Sequence, residues 1–251
     1  MLGHKSFDDI ASWQVYTQER ARALHTHIMS LPTSPFENKP LTLCTTIESW
    51  ASTNRLPMIF RAAKMDVARQ VLSKLEPKPK VIVEFGTYVG TSALAWGYLL
   101  RSLQGENGDN DGAKVYTFEL DSGMAGIARD FVKLVGLEDT VHVLEGPGSD
   151  SLKKLTQEGK VQPGGVDVVF FDHWEKLYLP DLQLCESLSL FHKGSVAIAD
   201  NTDIPGAPDY LEYVKKGGSE DGKVRYESVS HRAEGDGQGP KIVEVSTVVQ
   251  V

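Results

Sequence analysis

The sequence predicts an α/β protein: a mostly parallel sheet with helices on both faces, a helical preface, and an antiparallel strand where the sheet ends. Three patterns carry this expectation. From Val81 to Ala199, short runs rich in Val, Ile and Phe alternate with segments of helix length, as in a parallel sheet covered on both faces. Before Pro77, apolar residues recur at helical spacing. After Val224, two strand-like runs flank Gly235-Asp236-Gly237-Gln238-Gly239-Pro240, which reads as a hairpin.

In the preface, Ser6-Phe7-Asp8-Asp9 has the spacing of a capping box. Behind it Ile10, Trp13, Thr17, Leu24 and Ile28 keep helical spacing until Pro32. Leu43, Ile47 and Trp50 predict a second, shorter helix. A third is predicted from Pro57, a residue suited to a first turn, with Ala63, Val67, Val71 and Leu75 on its buried face. The basic residues between them, Arg61, Lys64, Arg69 and Lys74, read as a solvated face. In the body, strands are predicted at 81–85, 115–119, 141–144, 166–171 and 195–199, and helices at 92–103, 124–135, 150–156 and 179–190. The tail strands are predicted at 224–231 and 241–249, and the polar stretch 105–112 as a mobile loop.

Composition narrows the function. At 251 residues, with about 150 per domain, one large domain is expected, with 1–56 a helical extension and 57–251 the catalytic core. The chain is 41% hydrophobic and 24% charged, ordinary for a globular protein. Its apolar runs, such as that from Ala93 to Leu100, fall far short of the ~20 residues of a membrane span. No basic start followed by an apolar core opens the chain, so a cytoplasmic location is expected. Cys44 and Cys185 form no C-x-x-C pair and read as free thiols. With 26 Lys and Arg against 34 Asp and Glu, the net charge is −8. Nucleic-acid binding, which relies on cations that neutralise phosphate, is a poor fit. A small molecule is the expected partner.

The first strand ends in Glu84-Phe85-Gly86-Thr87-Tyr88-Val89-Gly90-Thr91-Ser92. Glycines at a strand-to-helix turn let a ligand approach the backbone. The spacing is E-x-G-x-x-x-G, and a carboxylate at Glu84 suits a cationic ligand better than a pyrophosphate. Glu84 as a structural strand-end acid is the alternative. The second strand ends in Glu119, placed to accept from two ribose hydroxyls. Together these point to S-adenosylmethionine, an adenosine that carries a sulfonium. The run Gly146-Pro147-Gly148-Ser149-Asp150-Ser151 nearly matches the dinucleotide pattern but follows the third strand. It reads as the start of the next helix and part of the adenine pocket.

The fourth strand runs into Phe171-Asp172-His173-Trp174 and the fifth into Ala199-Asp200-Asn201. Carboxyl ends of neighbouring parallel strands face one crevice. Asp172, Asp200 and Asn201 therefore bring two carboxylates and an amide oxygen together, a set that suits Mg²⁺ better than zinc. A turn at Asp200-Asn201 and a helix cap at Asp172 are the structural alternatives.

The segments 84–92, 115–146 and 167–210 resemble the catechol O-methyltransferase family. The most specific stretches are Phe171-Asp172-His173-Trp174, Tyr178-Leu179-Pro180-Asp181, Ala199-Asp200-Asn201 and Pro205-Gly206-Ala207-Pro208-Asp209. The likeness covers roughly residues 40–251, with a weaker match around 57–64. It implies a Rossmann-like class I methyltransferase fold with a seven-stranded sheet, and Mg²⁺-dependent methylation of one catechol hydroxyl by S-adenosylmethionine. By position it implies Asp172, Asp200 and Asn201 as metal ligands. Met58, Phe60, Glu84, Gly86, Tyr88, Ser92, Glu119, Leu120, Ser149, Asp172 and Trp174 fall at cofactor contacts, with His173 beside the methionine part. Leu56, Trp174, Asn201 and Pro205 fall at the substrate.

One departure bears on mechanism. The family places its base, a Lys, directly after the motif Trp, whereas this chain reads Trp174-Glu175-Lys176. Glu175, Lys176 and His231, which aligns with the family's hydroxyl-binding Glu, are the candidates for the catalytic proton acceptor. An alternative is a homologue that binds S-adenosylmethionine with an altered substrate or no methyl transfer. A nicotinamide dehydrogenase rests only on the Gly146 run. A monomer or weak homodimer is expected.

Overall fold

The computed structural model describes residues 10–104, 112–219, 222–233 and 241–251. The capping box, most of the polar stretch 105–112 and the hairpin turn lie outside these residues. The chain begins with three helices, α1 (Ile10–Met29), α2 (Pro40–Asn54) and α3 (Ala62–Leu72). The alternating body follows: β1 (Val81–Phe85), α4 (Thr91–Leu103), β2 (Lys114–Glu119), α5 (Ser122–Leu134), β3 (Val141–Glu145), α6 (Gly148–Gln157), β4 (Val166–Phe171), α7 (Tyr178–Ser187) and β5 (Phe191–Ala199). It closes with α8 (Pro208–Lys215), β6 (Arg225–Arg232) and β7 (Ile242–Gln250).

The seven strands form one sheet in the order β3-β2-β1-β4-β5-β7-β6. β1 to β5 are parallel, and β7 runs antiparallel to both β5 and β6. This is the predicted mostly parallel sheet with one antiparallel strand, with one correction. The antiparallel strand is not the edge: β7 inserts between β5 and β6, so the edge strand β6 runs in the same sense as the body. Register explains the choice. Val243 and Val245 of β7 are buried with Val196 and Ile198 of β5 in one core, and Val248 lies in the other, whereas most of β6 is exposed or half-buried.

Alternate strand residues point to opposite faces, and this divides the core in two. Ile82, Val115, Val168 and Val196 pack beneath α1 to α5, against Leu24, Leu43, Leu72, Trp96 and Phe131. Val83, Phe85, Val169 and Ala197 face α6, α7 and α8, against Leu152, Leu182 and Tyr210. The preface helices thus complete one face of the sheet.

Two further expectations are corrected. Helix α3 starts at Ala62, not at Pro57, because Met58 turns into left-handed backbone (φ 61°) and Arg61 is extended. Its most buried stripe is Lys64, Ala68 and Leu72, one residue round from the predicted stripe, a rotation of about 100°. Lys64 is therefore buried, while Arg69 and Lys74 lie on the solvated face. Helix α8 was not legible: its apolar positions Tyr210 and Val214 make one short stripe behind two prolines.

Candidate functional site

The chain winds outward from β1 in both directions, through β2 to β3 and through β4 to β5. The carboxyl ends of β1 and β4 flank this switch point, where open α/β sheets bind ligands. Backbone bonds continue the sheet into its loops: Gly86 N–H donates to Phe118 O (3.1 Å), Asp172 N–H to Phe85 O (2.9 Å) and Asp200 N–H to Phe171 O (3.0 Å). Asp172 is thereby set between Gly86 and Asp200. Gly86 has φ +98°, and a Cβ there would lie 2.3 Å from the Asp172 carbonyl oxygen. Only glycine permits this approach.

On the β2 side, the Glu119 carboxylate accepts from Tyr88 N–H (2.7 Å) and Asp121 N–H (2.9 Å). Those bonds fix its direction, and burial raises its carboxyl above the ordinary range. Tyr88 holds a positive φ of 50°, an uncommon conformation for a bulky residue that marks a constrained turn. Ser149 lies half-buried in the first turn of α6. That helix starts at Gly148, where a Cβ would meet the Phe85 ring at 2.5 Å. The Gly-rich run is thus shaped by packing. Met58 and Leu120 are exposed at 54% and 74%.

Glu84 differs from its expected place. It is fully buried, and its oxygens accept from Trp96 Nε1–H (3.0 Å) and Thr117 Oγ1–H (2.5 Å). Burial pushes its carboxyl up to about 7. The carboxylate ties β1 to β2 and α4 and offers a ligand no surface, so the structural alternative describes it. Ser92 is buried beside it. Phe60 and Leu56 are also buried, Phe60 with its ring on Phe170 and Trp96. Both pack into the core beneath the sheet.

Asp172, Asp200 and Asn201 do converge. Burial raises both carboxyls, and the charge of Asp200 raises Asp172 further. Asn201 sits at φ 54°, which Asn tolerates. Sequence reasoning missed a fourth member, Lys64. Lys64 Nζ donates to Asp200 Oδ2 (2.6 Å) and Asn201 Oδ1 (2.8 Å), which leaves Asp200 Oδ1 buried without a hydrogen-bond partner. A buried, unsatisfied carboxylate oxygen beside a second carboxylate and an amide oxygen is a donor set that fits a hard divalent cation. Among the described residues no three His, Cys, Asp or Glu side chains are grouped to hold a metal ion; the set at this site is two carboxylates and the Asn201 amide.

The Tyr178-x-x-Asp181 motif orients His173. Asp181 Oδ2 lies 2.8 Å from His173 Nε2, and the rings of Phe85 and Tyr178 stack on the imidazole at 5.5 and 5.3 Å. Nδ1 is buried and unpartnered. Trp174 is 54% exposed, and Ile204 and Pro205 of the turn after Asn201 are exposed as well. A separate cleft of about 760 Å³, lined by Gln183, Glu186, Tyr213 and Lys216 among others, holds none of the expected site residues.

A methyltransferase-domain family model matches residues 83–202. Catechol O-methyltransferase of Sus scrofa is 39% identical over 140 residues, which cover 56% of this chain and 69% of that protein. The chain belongs to the catechol O-methyltransferase family. The bovine (Bos taurus) member is 35% identical over 176 residues, 70% of this chain, and a Danio rerio member is 38% identical over 145, 58% of this chain. The matches span 60% and 50% of those two relatives. Among solved structures, an O-methyltransferase from Bacillus cereus in complex with SAH superposes with a TM-score of 0.62 at 17% identity, covering 92% of this chain and 99% of that one. An SAH-bound Podospora anserina methyltransferase gives 0.60 at 19%, covering 99% of each. These likenesses establish the class I methyltransferase fold.

Of the three candidate proton acceptors, Lys176 has its Nζ 4.7 Å from the centroid of the Trp174 ring. Glu175 faces the ligand set closely enough for its charge to raise Asp172. His231 of β6 pairs with Val243 of β7. This puts it on the ligand edge of the sheet but two strand spacings from β5, about 10 Å.

Proposed function

We propose that the chain transfers a methyl group from S-adenosylmethionine to a hydroxyl of a catechol-like, vicinal dihydroxy-aromatic molecule, with Mg²⁺ as its metal. The observation that carries this reading is the buried, unpartnered Asp200 Oδ1 beside Asp172 and Asn201, next to the turn made by Gly86, Tyr88 and Glu119. Asp172, Asp200 and Asn201 would hold the ion. When bound, it supplies Lewis-acid stabilisation of negative charge on a hydroxyl that otherwise titrates near 10. Glu119 accepts the ribose hydroxyls, the Gly86 turn admits the methionine part, and Ser149, His173, Leu120 and Met58 close around the donor. Trp174, Asn201 and Pro205 position the acceptor ring so that oxygen, methyl and sulfur lie in line, and such positioning supplies much of the rate. Glu175 takes the hydroxyl proton on its carboxylate as the C–S bond breaks and the O–C bond forms.

Labelled methyl transfer to a panel of catechols, with and without EDTA, tests this reading. Transfer that EDTA abolishes is expected; none under either condition would overturn it. A second reading, donor binding without transfer, draws on Glu175 at the family's Lys position and on Lys176 resting on Trp174. Calorimetry that shows donor binding with no turnover, and activity gained in Glu175→Lys, would favour it. We further assign the whole chain to one methyltransferase domain with the extension at 1–56, working as a monomer or weak homodimer in the cytoplasm. No helix among the described residues is long and apolar enough to cross a membrane.

A further inference from the structure

The loop after β5 already holds a cation. Lys64 comes from the first turn of α3, 136 residues before Asp200 in the chain. Its side chain is 9% exposed and that of Asp200 3%. A long Lys side chain ordinarily keeps its ammonium in water, and a buried ion pair costs desolvation that only good geometry offsets. Here the ammonium reaches two oxygens of the metal-ligand set at once, Asp200 Oδ2 and Asn201 Oδ1, and leaves Asp200 Oδ1 without a partner. Asp172 and, behind it, Glu175 add negative charge to the same spot.

We propose that Lys64 is a resident counter-cation of the metal-ligand set: it holds Asp200 and Asn201 in place, competes with the divalent ion for their oxygens, and so keeps the ion weakly bound and exchangeable. The proposal rests on the metal reading above. Charge arithmetic gives its consequence. Asp172, Asp200, Glu175 and Lys64 together carry two negative units, which a divalent ion would neutralise. Without Lys64 the loaded set would keep one negative unit. Two cations sharing Asp200 would repel each other appreciably even at an effective dielectric of about 20. An acceptor hydroxyl losing its proton would therefore meet a set one unit more positive with Lys64 than without it. Lys64 touches no reacting atom and is a positioning residue.

Mn²⁺ titration of the full-length protein by calorimetry, with no substrate present, tests this on wild type, Lys64→Gln and Lys64→Arg. Gln removes the charge and keeps an N–H donor for Asp200, whereas Arg keeps the charge. The Kd for Mn²⁺ is expected to fall at least tenfold in Lys64→Gln and to stay near wild type in Lys64→Arg. Equal or weaker binding in folded Lys64→Gln would overturn the inference and leave the metal site standing. No saturable binding in any of the three would overturn the metal site and this inference with it. Should Lys64→Gln fail to fold, amine acylation of wild type read by mass spectrometry decides the question. Lys64 is expected to label several times faster at saturating Mg²⁺, and unchanged labelling would count against competition.

Discussion

Glu84 and Lys64 show how a single side chain can exchange the role its neighbours in sequence suggest for one that the fold imposes. The Glu84 carboxyl is raised from 4.5 in the free chain to about 7 by burial. Between those values the folded chain binds a proton that the unfolded chain has lost. Stability therefore falls as pH rises from about 4.5 to about 7, by about 3 kcal/mol, and stays lower above that range. Glu84→Gln is expected to lack this slope. In urea unfolding with EDTA, it should gain about 2.5 kcal/mol on wild type between pH 5 and pH 8, whereas parallel curves would contradict the assignment. Asp172 and Asp200 are raised in the same direction and are common to both proteins; because the Glu84 charge also raises Asp172, the difference reports Glu84 together with that coupling. At Lys64, removal of one partner of a buried ion pair strands the other, at a cost of about 3–5 kcal/mol. Lys64→Met is expected to lose that much of its metal-free stability in the same assay; a loss under 1 kcal/mol would mean the pair is solvated.

At the scale of elements, the site depends on how closely β1 and β4 approach at their ends. Gly86→Ala would set a Cβ 2.3 Å from the Asp172 carbonyl oxygen at φ +98°. The variant is expected to lose about 2 kcal/mol or more and to bind S-adenosylmethionine more weakly by calorimetry. Helix α7 acts through His173. Asp181→Ala frees the imidazole and should weaken donor binding severalfold with little change in melting temperature. β1 and β4 were legible at 81–85 and 166–171 because buried parallel strands are nearly unbroken apolar runs. Helix α3 was misplaced by five residues, since nothing local announces that Met58 turns left-handed. Lys64 could not be read as a site residue, because an amphipathic pattern assigns a lysine to water and its partners lie over a hundred residues away. The position of β7 between β5 and β6 was hidden for the same reason: a hairpin pattern fixes that two strands pair, and not which of them joins the sheet.

Over the whole molecule, two layers of helices on one sheet bring the loops after β1 to β5 to a single edge, and in a chain of net charge −8 Lys64 is a cation buried against Asp200. The Asp172, Asp200 and Asn201 grouping was readable in advance from strand ends alone, as was the Glu119 side of the crevice. Leu56 and Phe60 are buried in the core, a placement not legible in the sequence, since an apolar residue at a binding position serves packing equally well. The measurement that bears most directly on this account is anomalous diffraction from crystals grown with Mn²⁺ and S-adenosylhomocysteine. A single manganese peak in contact with Asp172, Asp200 and Asn201, with the nucleoside ribose at Glu119, is the predicted result. Manganese bound elsewhere, or none at these three residues while the nucleoside is in place, would contradict it.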